Sequence, residues 1–305
     1  MSLQAITSVF EVLHSRAIKS LHLTRDGGDL LLAVIFSILC EFLKRICNST
    51  NPKLGYGEVE KFREVLYKII LRIWFTYYSI TLCLSKDYFW DPSLFYRHAD
   101  GRLRDNMCTR EIAVDERIYY VTLFGYYLNH TLTQFNDPKR KDFWALCLHH
   151  IVTLLLIVLS YKSGFSSIGV VLAMCHEPSD LLLAIAKIFR YLGMKVLTDV
   201  FFIIFTISWF YFRIYLYPLK CLVISATGPW KLIYHDYLPL HLDDPPHCAS
   251  LLGEFFFILM MTLYVLHLYW TVFLVKAVAR KLKTGNTEDT RSDKEERPDG
   301  GLKED

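Results

Sequence analysis

Long apolar runs dominate this sequence, and a run long enough to cross a bilayer leaves a chain few folds to choose from. A crossing helix needs about 20 largely apolar residues, because lipid offers the backbone no hydrogen-bond partner outside the helix itself. Seven stretches approach that requirement: Leu30–Leu43, Val65–Leu84, Ile118–Phe135, Trp144–Tyr161, Phe165–Ile188, Val200–Tyr217 and Leu251–Val278. The first is the shortest and contains Glu41; the last is the longest. Of the 305 residues, 53% are hydrophobic and 15% aromatic, more than a water-soluble domain of this size carries. The expectation is an all-α polytopic membrane protein, a helical bundle or barrel of about seven transmembrane helices. Residues 1–56 form an N-terminal segment with the first candidate span, 57–283 a helical domain, and 284–305 a charged tail without hydrophobic periodicity, expected to be disordered in the cytosol.

The formal net charge of +3 is too small to suggest a nucleic-acid partner, so what matters is where the charges lie. Cytoplasmic loops collect Lys and Arg. Lys276, Arg280, Lys281 and Lys283 follow the last run and place the C-terminus in the cytosol. Counting backwards, Arg190 and Lys195, the turn with Lys139, Arg140 and Lys141, and the stretch from Lys44 to Arg63 are also cytosolic. Seven crossings then put the N-terminus in the lumen. Ile6 to Leu23 has apolar residues at roughly helical spacing; it reads as a helix on the membrane surface or as a polar lead-in, and the lead-in is the simpler expectation. Asn48-Ser49-Thr50 and Asn129-His130-Thr131 are sequons, the first cytosolic and the second inside a span, so neither is expected to carry sugar. Cys47, Cys108 and Cys248 fall in loops. An oxidising lumen permits a Cys108–Cys248 bridge, though two free thiols are the simpler expectation.

Ionisable residues inside a span are costly and usually face a cavity or a partner. His149 and His150 lie eight and nine residues after Lys141, roughly 12–14 Å in from the cytosolic turn. Asp180 lies ten residues before Arg190 on the returning run, roughly 15 Å in. His176, Glu177 and Asp180 share one helix face. Adjacent His149 and His150 point about 100° apart, so one acts on a substrate while the other orients a neighbour or bonds across helices. His130 and His267 are isolated and read as interhelical hydrogen-bond donors. Two histidines and two carboxylates could hold a divalent ion, but no His-x-x-His or Cys-x-x-Cys pair supports a metal, and proton transfer is the preferred chemistry. A lipid-binding protein without catalysis would need no such cluster. A proton-coupled transporter would be expected to show internal repeats, and none is visible.

The order Arg140-Lys141-Asp142-Phe143, His149-His150-Ile151-Val152-Thr153-Leu154-Leu155, Ser160-Tyr161, Gly169, His176-Glu177-Pro178-Ser179-Asp180, Ala186-Lys187 resembles the longevity-assurance motif of ceramide synthases, within a wider likeness to a TLC domain over approximately Gly57 to Leu282. Arg213 and Pro218 fit the same pattern. The resemblance implies an endoplasmic reticulum enzyme that joins the acyl group of a fatty acyl-CoA to the amine of a sphingoid base, with membrane lipids around it, a homo- or hetero-dimer as a possible assembly, and no cofactor beyond the acyl-CoA co-substrate. It implies that His149 and His150 are catalytic and that Glu177 and Asp180 stand where the family has two functional aspartates. Glu177 in place of Asp and Pro178 beside it are departures; inside a helix Pro178 would kink it. No homeobox-like segment separates the first two runs. The alternative is a non-enzymatic TLC protein that binds or moves lipid.

A sphingoid ammonium cannot attack a thioester until a base takes a proton, and imidazole suits that task. One of His149 and His150 is expected to do so, with Asp180 or Glu177 orienting the ring; attack by the imidazole itself, giving an acyl-imidazole, is the other route. Lys139, Arg140 and Lys141 at the cytosolic mouth are candidates for the phosphates of CoA, and His176 and Arg213 for other substrate contacts.

Overall fold

The computed structural model describes residues 3–21, 25–50, 58–95, 112–135, 141–223, 225 and 247–284. All regular structure among these residues is helical. The helices are α1 (Leu3–Leu21), α2 (Arg25–Asn48), α3 (Glu58–Ser85), the short α4 (Asp87–Trp90), α5 (Val114–Thr133), α6 (Phe143–Lys162), α7 (Ser166–Met174), α8 (Glu177–Tyr191), α9 (Lys195–Trp209) and α10 (His247–Thr284). Beyond Trp209, α9 widens into π-helical turns over Phe210–Leu216 and Pro218–Leu222. Four stretches are long and apolar enough to cross a membrane: Phe143–Lys162, Ser166–Tyr191, Lys195–Leu222 and Glu254–Lys283. The other three candidate runs are helices too, within α2, α3 and α5, but do not combine that length with that apolarity. Outward-facing residues on the apolar helices are large and aliphatic, such as Ile151 and Leu155 on α6, Ile203 and Ile207 on α9, and Ile258 and Val265 on α10. An exposed apolar surface of that extent fits contact with lipid rather than water.

The run Phe165–Ile188 is not one helix. It breaks at Cys175–His176 into α7 and α8, and Pro178 lies in the first turn of α8. Proline has no N–H and clashes with the carbonyl four residues back, so a break just before it leaves it where its missing donor does no harm. The expected kink inside one helix is thus a clean interruption. Gly164, at φ 72°, supplies the left-handed residue that turns α6 back onto α7.

The core is aromatic. Phe75, Tyr119 and Leu263 are fully buried, and Tyr78 stacks on Tyr119 with ring centroids 5.6 Å apart. α8 packs against α3 and α9, α5 against α2 and α6, and α10 against α6 and the π-helical turns.

The N-terminal stretch differs from the polar lead-in expected for it. It forms α1, and His14 on that helix is 6% exposed, 3.1 Å through Nε2 from Asp29 Oδ1. Arg117 Nε donates to both Asp29 oxygens at 2.9 Å, and the Tyr161 hydroxyl donates to Asp29 Oδ2. One carboxylate thereby ties α1, α2, α5 and α6 together. Cys47 lies in α2, buried, rather than in a loop. Asn129 is buried and accepts from Tyr67 Oη at 3.2 Å. Cys108, the side chain of Cys248, Lys139, Arg140 and the tail beyond 284 lie outside the described residues.

Asp29→Ala should strand the buried Arg117 charge and destabilise the protein by about 3–5 kcal/mol. Thermal unfolding in detergent, with release of α1 to protease, measures it.

Candidate functional site

Two helical stripes face each other across a cavity. On α6 the stripe is His149, Thr153, Leu156, Ile157 and Ser160; on α7 it runs through Phe165, Gly169 and Leu172 to His176 and Glu177 at the start of α8. These are the i, i+4, i+7, i+8, i+11 positions of one helix face. Because α6 and α7 are consecutive and antiparallel, His149 meets His176 at one end and Ser160 meets Gly169 at the other. Tyr120 and Tyr127 of α5 and Phe256 and Met260 of α10 close the sides. Between the two ends the lining is mainly aliphatic and aromatic.

The polar end holds three imidazoles in sequence. His149 is 9% exposed, its ring 6.1 Å from that of His176 and edge-on to Trp270 at 5.6 Å. Trp270 is itself held by Asp142, whose Oδ2 accepts from the indole N–H at 3.1 Å. His176 Nδ1 lies 2.7 Å from the Leu172 carbonyl and its Nε2 lies 2.8 Å from Nε2 of His267. A carbonyl only accepts, so Nδ1 of neutral His176 carries the proton and its Nε2 accepts from His267. The reading of His267 as an interhelical hydrogen-bond partner fits this geometry. Glu177 is 3% exposed. It also sits in the first turn of α8, where the helix dipole favours a carboxylate.

The expected cluster of four is divided. His149, Glu177 and His176 reach the cavity, whereas His150 and Asp180 are not among its lining residues. His150 turns toward α5, with His130 edge-on at 4.7 Å and Tyr127 at 6.0 Å. Asp180 orients no imidazole by a hydrogen bond among the described residues. Its Oδ2 lies 2.6 Å from Arg72 Nη1, and its Oδ1 accepts from Arg213. Arg213, read from the sequence as a substrate contact, is 4% exposed. It donates through Nε to Ser179 Oγ at 3.0 Å and through Nη2 to the His176 carbonyl at 3.3 Å, and lies over the Trp209 ring at 4.3 Å. Its guanidinium is committed to the start of α8, and the π-helical widening around it and Pro218 lets a long side chain reach that far. Lys141 is exposed in the turn before α6. No group of three or more His, Cys, Asp or Glu among the described residues is arranged to hold a metal ion.

Arg72 and Tyr120 are the members that sequence reasoning left unassigned. Arg72 was visible as a charge inside an apolar run, the ordinary sign of a buried partner. Tyr120 gave no signal, because its role depends on Gly169: a Cβ on that glycine would lie 1.7 Å from the Tyr120 hydroxyl. The phenol crosses the cavity there, donating to the Ser166 carbonyl at 3.0 Å and lying 3.0 Å from Ser160 Oγ.

A family model described as TLC domain matches residues 61–276. Among curated relatives, the chain is 27% identical over 241 residues to Ceramide synthase 1 LOH3 of Arabidopsis thaliana, covering 78% of this chain and 75% of that protein. It is 28% identical over 257 residues to Ceramide synthase 4 of Mus musculus, covering 84% and 58%. It is 31% identical over 176 residues to Ceramide synthase hyl-1 of Caenorhabditis elegans, covering 57% and 47%.

Arg72→Met and Asp180→Asn should be strongly non-additive, with a coupling energy of about 0.5–3 kcal/mol. A double-mutant cycle of unfolding free energies reads that value, and additive effects would remove the ion pair from the account.

Proposed function

Since the chain belongs to the TLC-domain family, we propose that it is a sphingoid base N-acyltransferase that forms ceramide or dihydroceramide from a fatty acyl-CoA. The carrying observation is the cavity: apolar along its length, with His149, His176 and Glu177 together at one end. A lipid carrier needs the first property and has no use for the second. The ceramide synthase relatives support the same substrates. The protein is further proposed to lie in the endoplasmic reticulum membrane with seven crossings, the N-terminus lumenal and the C-terminus cytosolic. Lys276, Arg280, Lys281 and Lys283 toward the C-terminal end of α10 support the second placement.

In this reading the thioester carbonyl stands beside His149 and the acyl chain lies along the α6–α7 stripes. His149 takes a proton from the sphingoid ammonium, the freed amine attacks, the C–N bond forms and the C–S bond breaks. Glu177, buried at the same end, stabilises positive charge that develops on the imidazole. Trp270 and Asp142 hold the His149 ring, and Asp180 with Arg72 and Arg213 fixes α8, so these are positioning residues. Lys139, Arg140 and Lys141 receive the phosphates of CoA at the cytosolic mouth.

The slot sets a limit on the acyl group. His149 and Ser160 are eleven residues apart on α6, roughly 16 Å. An extended chain advances roughly 1.3 Å per methylene, from the C–C length and tetrahedral angle. Tyr120, Ser160 and Ser166 are all buried at the far end, so an acyl group of up to about 14 carbons fills the space without displacing them.

Purified protein given a sphingoid base and a series of acyl-CoAs should form amide from myristoyl-CoA in preference to lignoceroyl-CoA. His149→Ala should lower kcat by about 10²–10⁴-fold; undiminished product from it would refute the assignment. Tyr120→Ala should move the preference toward longer chains by roughly 10-fold or more, read as the ratio of products by mass spectrometry, while Leu156→Trp should move it toward shorter ones.

A further inference from the structure

Amide formation leaves a proton behind. The sphingoid ammonium loses two protons as its nitrogen becomes an amide N–H; one goes to the departing thiolate, giving CoA thiol, and the other has to leave a cavity enclosed by apolar helices. The acyl-transfer reading provides for its acceptance by His149 and not for its departure.

Five histidines on four segments form one continuous row. Ring centroids are separated by 4.7 Å from His130 to His150, 5.8 Å from His150 to His149, 6.1 Å from His149 to His176 and 4.7 Å from His176 to His267. Spacings of this size bring ring nitrogens within reach of each other directly or through one water. The two directions away from His149 are not equivalent. Toward His176 the row ends at His267, which is fully buried and packed by Trp209 and Tyr217; a proton sent that way stays in the protein. Toward His150 the row ends at His130, half-buried and one turn from the end of α5. The Nδ1 atoms of His130, His149, His150 and His267 are all buried with no hydrogen-bond partner among the described residues. Buried imidazole nitrogens left unmatched are uncommon and call for a water or a catalytic role, and of the two ends of the row the one at His130 is the less buried.

We propose that His150 and His130 carry the released proton from His149 to the surface at the end of α5. The second of the paired histidines thereby gains a task that its absence from the cavity wall otherwise leaves open. The proposal rests on the acyl-transfer reading, since it accounts for a proton only that reaction produces.

The test uses full-length protein in detergent, His130→Ala and His130→Phe, steady-state kinetics in H₂O and D₂O, and added imidazole. Phe preserves the edge contact with His150 and supplies no nitrogen. Both variants should lose about 10-fold or more in kcat, keep the KM for acyl-CoA, and show a larger solvent isotope effect; imidazole should restore His130→Ala in proportion to its concentration. Wild-type kcat in His130→Phe, or loss in His130→Ala that imidazole does not restore, overturns the relay while leaving acyl transfer in place. Absence of amide from the wild-type protein overturns both.

Discussion

A carboxylate within an apolar helix bundle persists only if opposite charge reaches it, and Asp180 receives two guanidinium groups, from Arg72 on α3 and Arg213 beyond α9. Each arginine is in turn tolerable only because Asp180 is there, so removing Asp180 leaves two buried cations without their shared partner. Around this triad α8 is fixed between its two neighbours. Ser179 and the His176 carbonyl, both bonded by Arg213, bring the triad's rigidity to the residues that open onto the cavity. The candidate active end is thus set by an ion network that does not itself line it.

Irregular backbone is tolerated at membrane depth where it is buried in protein or lines a cavity, and both interruptions in this bundle obey that rule. The break before Pro178 presents His176 and Glu177 to the slot, and Ser179 just behind it is fully buried. The π-helical turns around Pro218 place Tyr217 against His176 and His267 with centroids 5.6 and 5.0 Å away. Each proline frees a backbone segment from the regular helical ladder, and the freed segment is where the polar side chains converge.

Much of this was legible in order and little of it in detail. The helices could be read from their apolar runs; the depths counted along α6 and the returning run matched His149 and His150 with Asp180, whereas it is His176 and Glu177 that share the cavity with His149. The division of the cluster could not: whether His150 faces the slot or α5, and whether Asp180 meets an imidazole or Arg72, is decided by helix rotation and by partners a hundred residues away. The α1 segment was underread because its buried anchor, His14, finds Asp29 and Arg117 only in the folded bundle. Pro178 was read correctly as disruptive, but periodicity alone does not distinguish a bend from a break. Tyr120 was invisible because its meaning lies in the missing side chain of Gly169.

The crossing of Tyr120 over Gly169 narrows the slot at that end, and under the proposed acyl transfer a narrowed end orders the events. A tail seated there bars any second tail from the same space, so the partner carrying the amine must approach from the mouth and keep its own chain outside. In that proposal the joined product would have one hydrocarbon arm in the protein and one in the bilayer, and would depart by drawing the first back out past the histidines.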